Sequence, residues 1–364
     1  MAEKYRNAKN VARYLIGKGS LAQLAEILEP LREATPDGPA IFFLDHYFER
    51  HGALLSELPV YEWDMRVFVD TSREPSCESV DMYSDRVKQF LRGRKPCALI
   101  ALGGGSTMDT CKCVGNLLTN PGCAADYQGF DLVKNPAPYK IAVPTISGTG
   151  SESSRTGVML NAEKGLKLGM NSDYSMFDQV ILDPDLSASV PRDQYFFTGI
   201  DTFMHCFESL DGSYRNTVVD SQSEHVIAMC EKIFLSDDMM AEPMRELLMI
   251  ASYQGGQAAG FVGVVHPLSA GLSVVLGMPH GLANCYALSV LDDIYPEQYA
   301  LFKKMMGKQG IVLKKGICAN LAAEQYDRLY EASIVHEKPL VNKLGPKYRD
   351  ILTKEDVIRR FKEM

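Results

Sequence analysis

The segment TGIDTFMHCFE, residues 198–208, places Asp201, His205 and Glu208 at i, i+4 and i+7. On a helix these three share one face, while Phe203, Met204 and Phe207 make the rest of the surface apolar. Polar groups on an otherwise buried helix need partners. A divalent cation satisfies a carboxylate and an imidazole at that spacing, and a buried Asp–His hydrogen bond is the competing reading. His266 and His280 flank the apolar stretch Pro267–Pro279. One straight helix would hold them ~21 Å apart at ~1.5 Å per residue, too far to share a metal, but Gly277 and Pro279 supply a break. Asp201, His205, His266 and His280 together form a mixed oxygen and nitrogen set, which suits iron(II) or zinc without choosing between them. Of the other histidines, His46 is placed near a cofactor, His225 and His336 read as surface or packing residues, and His51 shows no partner pattern.

A second chemistry is written in two glycine-rich turns. After the apolar run Ala98–Leu102 come Gly103, Gly104, Gly105, Ser106, Thr107, Met108 and Asp109, followed by a helical pattern. Glycines let backbone N–H groups approach an oxyanion, and the following helix N-terminus adds a positive dipole end. Ser106 or Thr107 could cap the helix or donate to a phosphate. Met108 stands where the third glycine of G-x-G-x-x-G would fall, so the ordinary dinucleotide fingerprint is not met, and a plain strand-to-helix turn is the alternative. The second turn, PTISGTGSE, carries Thr145, Ser147, Thr149 and Ser151, hydroxyls suited to phosphate, ribose or substrate oxygens. Asp45 ends the strand-like run Ala40–Leu44. Its carboxylate could accept from both ribose hydroxyls and would repel a 2′-phosphate, favouring NAD over NADP; a strand-end cap is the other reading.

These residues need a scaffold. Strand-like runs at Ala40–Leu44, Arg66–Asp70, Ala98–Leu102, Ile141–Pro144 and Val180–Leu182 alternate with helical spacing at Leu21–Leu31 and Val80–Leu91. That alternation predicts an α/β domain built on a mostly parallel sheet. From about Pro191 the segments Tyr195–Leu210, Ser221–Leu235, Met244–Phe261 and Gly281–Tyr295 read as helices. The expected organisation is therefore a dinucleotide-binding α/β domain over residues 1–190 and an all-α, metal-binding domain over 191–364, with the join at the turn-rich stretch 183–191. The 364 residues, 46% hydrophobic and 23% charged, can bury a sizeable core. A formal charge of −8 without a basic stripe argues against a nucleic-acid partner. No run reaches the ~18 apolar residues of a membrane span. The start, MAEKYRNAKN, has no apolar stretch of a secretory leader, and nine scattered cysteines fit reduced thiols, so a cytoplasmic location is expected. Cys111 and Cys113 read as buried packing residues.

Taken together, GGGSTMD (103–109), PTISGTGSE (144–152), ILDPDL (181–186), GIDTFMHCFES (199–209) and the pair His266 and His280 resemble the iron-containing, or group III, alcohol dehydrogenases over nearly the whole length. The resemblance implies a dehydroquinate synthase-like architecture and a catalytic divalent metal held by Asp201, His205, His266 and His280. It also implies Lys167 near the cofactor, with a solvated loop lysine as the other reading, and a homodimer; NAD(H) is expected along the two glycine turns and Asp45. Family members commonly carry a further histidine four residues after the third ligand, where this chain has Ala270. GTGSESSRTG and LGMNSDYSMFDQ resemble a subgroup that oxidises the 8-hydroxyl of the sugar acid 3-deoxy-manno-octulosonate and also lacks that histidine. The implied reaction is oxidation of a primary alcohol to an aldehyde with hydride transfer to NAD. Oxidation or reduction of another small polyol, alcohol or aldehyde, and an oxygen-dependent oxidase, are the alternatives. Arg155, beside the second turn, could pair with a substrate carboxylate; a helix-end salt bridge is the other reading.

Overall fold

A computed structural model describes residues 8–364; residues 1–7, on which much of the reading of the N-terminus rests, lie outside the described residues. Among the described residues nine strands form two sheets: β1 (Arg13–Ile16), β2 (Ala40–Asp45), β3 (Met65–Val69), β4 (Ala98–Gly103), β5 (Gly129–Phe130), β6 (Lys140–Pro144), β7 (Thr156–Asn161), β8 (Leu166–Asn171) and β9 (Gln179–Leu182). The larger sheet runs β1-β9-β6-β4-β2-β3 and its paired strands are all parallel. A parallel sheet is covered on both faces, so its inner strands read as unbroken apolar runs. β2, AIFFLD, and β4, ALIALG, follow that rule, with Ala40–Leu44 and Ala98–Gly103 all buried.

Helices in the first half are α1 (Leu24–Ala34), α2 (Tyr47–Arg50), α3 (Cys77–Leu91) and α4 (Gly105–Leu117). Ser76 caps α3 reciprocally with Ser79, which fixes where that helix starts. Cys111 and Cys113 are fully buried in α4, as packing residues. The smaller sheet, β5-β8-β7, is an addition to the expected pattern. β7, TGVMLN, alternates half-buried and buried positions, the signature of a strand with one covered face.

The second half is helical: α5 (Arg192–Asp211), α6 (Thr217–Phe234), α7 (Glu242–Gly255), α8 (Val265–Leu276), α9 (His280–Leu288), α10 (Pro296–Gln309), α11 (Ala323–Ile334), α12 (Glu337–Leu344), α13 (Tyr348–Ile351) and α14 (Lys354–Glu363). Two expected extents change most. The helix expected over 244–261 closes as α at Gly255 and continues as a 3-10 turn, Gly256–Phe261. The helix expected over 281–295 ends at Leu288, where the Ser289 amide is shared between the Cys285 and Tyr286 carbonyls, and Pro296 opens α10. Among the described residues no single helix is long and apolar enough to cross a membrane.

The chain divides into two compact units. Among the described residues, one comprises 8–146, 151–164 and 168–188; the other comprises 147–150, 165–167 and 189–364. α5 lies at the centre of the second unit, packed against α6, α7 and α9, while α8 packs on α9 and α11. Thirteen of the residues of α5 are buried, among them Asp201, His205 and Glu208.

Candidate metal centre

α5 projects Asp201 and His205 one turn apart, and the break between α8 and α9 brings two more imidazoles to them. Gly277 closes α8 in the left-handed region at φ 64°, and Pro279 is the N-cap of α9, so His280 becomes that helix's first residue. Close approach of α9 to α5 depends on Gly281, where a Cβ would stand 2.3 Å from the Phe197 carbonyl oxygen. The expected fold-back between His266 and His280 is thus present, and it is built from a left-handed glycine, a proline and a missing side chain.

One ligand atom from each of Asp201, His205, His266 and His280 lies within 4.8 Å of the others. Asp201 Oδ1 is 3.3 Å from His266 Nε2 and 3.6 Å from His205 Nε2, while Oδ2 is 3.5 Å from His280 Nε2. Donors ~2.1 Å from a tetrahedral cation stand roughly 3.4 Å apart, which is this spacing. The His205 and His266 rings stack at 4.7 Å and 16°. Asp201 is fully buried and its Oδ2 has no hydrogen-bond partner, an arrangement that costs free energy unless a cation or proton meets it. The residues present therefore fit a divalent metal.

Electrostatics without a cation show the same demand. Burial raises the Asp201 pKa, but the three surrounding imidazoles outweigh it and hold the carboxyl below the usual range. Burial presses His205 down to about 4. Burial also opposes charge on His266, yet hydrogen bonds to Asp201 and Glu208 carry it up to about 9. An imidazolium there is the protein's substitute for a metal charge.

Three residues were not assigned roles from the sequence. Glu208 Oε2 lies 2.6 Å from His266 Nδ1, and its Oε1 accepts from the Val265 amide at 2.7 Å and the Tyr295 hydroxyl at 3.0 Å. This is the outer carboxylate that fixes the tautomer of a ligating histidine. Asn284, one turn after His280, donates from Nδ2 to Asp201 Oδ1 at 2.6 Å and lies 3.3 Å from His280 Nε2. The position of Glu208 at i+7 from Asp201 was a legible signal; Asn284 and Tyr295 gave none, because their partners come from other helices.

Lys167 is buried and its Nζ stands 3.4 Å from His280 Nδ1. In the first glycine turn, Gly104 is the N-cap of α4 with extended backbone and no side-chain cap, so Ser106 and Thr107 lie inside the first turn and do not cap it. The leading N–H groups of α4 therefore lack a capping side chain and fit an anion such as a pyrophosphate. Gly103 lies under Thr107, whose Oγ1 would be 2.5 Å from an added Cβ. Asp109 is committed to bracing: its oxygens accept from Ser151 Oγ at 2.5 Å and the Val158 amide at 3.0 Å. Ser151 also accepts from Lys112 Nζ. Thr145 donates its amide to Gly103, and Ser147 is buried with Oγ unpartnered. Thr149 and Gly105 lie in the same two turns. Asp45 Oδ1 accepts from the Tyr47 amide and from Thr71 Oγ1, each at 2.9 Å, and His46 Nδ1 lies 3.0 Å from the same hydroxyl. Arg155 forms ion pairs with Asp131 and Asp173, the local salt-bridge arrangement.

A buried Asp-His₃ cluster on a helical unit and a parallel α/β unit with an uncapped glycine turn define a metal-dependent oxidoreductase architecture. The chain belongs to the iron-containing alcohol dehydrogenase family: residues 12–184 match "Iron-containing alcohol dehydrogenase" and residues 196–331 match "Fe-containing alcohol dehydrogenase family, C-terminal". It is 30% identical over 310 residues to a sulfoacetaldehyde reductase of Bilophila wadsworthia, covering 82% of this chain and 72% of that one. It is also 30% identical over 227 residues to a 1,3-propanediol dehydrogenase of Klebsiella pneumoniae, covering 59% and 58%. The crystal structure of a sulfoacetaldehyde reductase from Bifidobacterium kashiwanohense in complex with NAD+ shares the fold, with a TM-score of 0.78 at 22% identity over 99% and 98% of the two chains. The protein is thus an alcohol or aldehyde oxidoreductase of a metal-dependent family.

Proposed function

We propose that the protein interconverts a primary alcohol and its aldehyde with NAD(H) as hydride carrier, and that its substrate is polyhydroxylated, with the 8-hydroxyl of 3-deoxy-manno-octulosonate as the leading case. The observation that carries the reaction class is the Asp201, His205, His266 and His280 cluster with its unpartnered buried Asp201 Oδ2. The alcohol and aldehyde relatives support the class, and the Ala270 position and the 148–157 and 168–179 segments support the sugar-acid reading.

Asp201, His205, His266 and His280 would hold iron(II) or zinc, which would supply Lewis acidity toward a carbinol oxygen. Glu208, accepting from His266 Nδ1–H, would leave the His266 Nε2 lone pair free for a metal at the cluster, and Asn284 holds the Asp201 carboxylate in place. Lys167 stands beside His280 at that edge of the cluster, which supports its role near the cofactor. The first turn of α4 binds the pyrophosphate, and Asp45, held by Thr71, accepts from the adenosine ribose and disfavours a 2′-phosphate. The assignment extends to a homodimer in the cytoplasm, the former checked by light scattering.

The test is anaerobic reconstitution with iron(II) or zinc, addition of NAD and 3-deoxy-manno-octulosonate, and absorbance of reduced nicotinamide. Reduction that is lost in Asp201→Ala is expected. Turnover confined to simple diols would replace the substrate, and metal-independent turnover would remove the mechanism.

A further inference from the structure

The two oxygens of Asp201 are treated differently by α9. Asn284 follows His280 by one helical turn, so both side chains leave α9 on one face, and the close approach at Gly281 sets α9 against α5. Asn284 is fully buried, and its Nδ2 stands 2.6 Å from Asp201 Oδ1. That contact fixes the orientation of the amide: its carbonyl oxygen in the same place would meet a carboxylate oxygen, and two acceptors repel. Asp201 Oδ2 is buried with no hydrogen-bond partner. The carboxylate thus has one engaged oxygen and one bare one.

The same amide nitrogen lies 3.3 Å from His280 Nε2 and 3.5 Å from His266 Nε2, so it faces three of the four residues of the cluster. A carboxamide N–H only donates. Imidazole nitrogens whose lone pairs are spent on a cation accept nothing, which leaves Asp201 Oδ1 as the partner of Nδ2 in the loaded protein. Asn284 Oδ1 is buried and unpartnered, so the amide is tied to its surroundings at the nitrogen alone.

A carboxylate binds a cation through one oxygen or through both. An oxygen that already accepts a short N–H bond has given up part of its charge, and the bare oxygen is then the stronger ligand.

We propose that Asn284 is a positioning residue that restricts Asp201 to a single ligating oxygen, Oδ2, and so limits the protein's donors at the centre to one oxygen and three imidazoles. This deepens the metal-centre reading and rests on it. Four donors suit a cation with a tetrahedral preference, such as zinc, and leave room for a substrate oxygen. Released from Asn284, the carboxylate is free to bind through both oxygens, and an added oxygen donor suits iron(II), which accepts more ligands.

The test loads wild type, Asn284→Leu and Asn284→Ala with cobalt(II) and reads the visible absorption, which weakens and moves to shorter wavelength when a donor is added. Leu fills the space of the amide and donates nothing, so its cobalt bands are expected to lose intensity. Ala leaves room for a water that donates to Oδ1 in the amide's place, and its bands are expected to stay nearer those of wild type. Anaerobic competition between zinc and iron(II), followed by elemental analysis, is the second readout: the ratio of zinc to iron(II) affinity is expected to fall about tenfold in the Leu variant. Unchanged cobalt bands or an unchanged ratio in that variant overturn the proposal. Loss of cobalt from variants that far-ultraviolet dichroism shows to be folded also overturns it, because Asn284 then holds the centre together instead of setting its donors. If the Leu variant does not fold, Asn284→Val carries the same comparison. If wild type takes up no cobalt, the metal-centre reading fails and the proposal falls with it; cobalt in wild type with unaltered bands in the variant sinks the proposal alone.

Discussion

His266 Nδ1 lies 2.6 Å from Glu208 Oε2, and this single contact commits the opposite ring nitrogen to Asp201. A carboxylate here also holds the Val265 amide, so the start of α8 and the ligand on it are set together. Glu208→Gln is expected to weaken metal binding by roughly 10–100-fold, the usual effect of losing such an outer partner. Competition against a chelator measures it, and an unaltered affinity would show that His266 is oriented by packing alone.

Asp201→Ala removes the only carboxylate of the cluster, leaving three imidazoles. Bound metal, measured by elemental analysis, is expected to fall to background while far-ultraviolet dichroism stays that of the folded protein. Stoichiometric metal in this variant would sink the ligand assignment.

Gly281→Ala places a methyl group 2.3 Å from the Phe197 carbonyl oxygen. Backbone cannot yield as a flexible side chain does, so α9 has to move off α5, at a cost of about 1–3 kcal/mol in urea unfolding. Metal affinity should decline in parallel, because His280 and Asn284 ride on α9. A stability loss with full metal affinity would separate the two helices' roles.

Lys140 is buried in β6, and burial presses its pKa from the ordinary 10.5 to about 8. Below pH 8 the folded state bears the full cost of a buried ammonium. Between 8 and 10.5 the unfolded chain holds more protons than the folded one, so stability from this group rises with pH. Lys140→Met is expected to be more stable than wild type by ~2 kcal/mol at pH 7, with the gap closing toward pH 10.5. A gap independent of pH would mean that packing, not charge, separates the two.

Asp45→Ala is expected to narrow the preference for NAD over NADP by about an order of magnitude, read as the ratio of kcat/KM for the two cofactors. Retention of the preference would return Asp45 to the role its bonds to Tyr47 and Thr71 already give it, a brace at the end of β2.

The inner strands were legible because burial on both faces leaves continuous apolar runs, as in Ala40–Leu44 and Ala98–Leu102. β1 was not: RYLI sits at the sheet edge with Tyr14 63% exposed, so no apolar run marks it. The β7 and β8 pair escaped for a related reason, since half-buried alternation over six residues is a weak signal. The four cluster residues were readable from local spacing plus a glycine and a proline. Asn284 and Tyr295 were not, because nothing in their own neighbourhood says that Asp201 and Glu208 stand opposite them.

The helical unit is discontinuous in the chain, taking in residues 147–150 and 165–167 as well as 189–364. The amides of Gly148 and Gly150 donate to Ser252 Oγ within it, and Lys167 reaches His280. A gene cut at the apparent domain join would therefore yield a C-terminal fragment stripped of those donors and of the lysine beside its own histidine. During synthesis, both short inserts leave the ribosome before α5, so they await the helices that will enclose them.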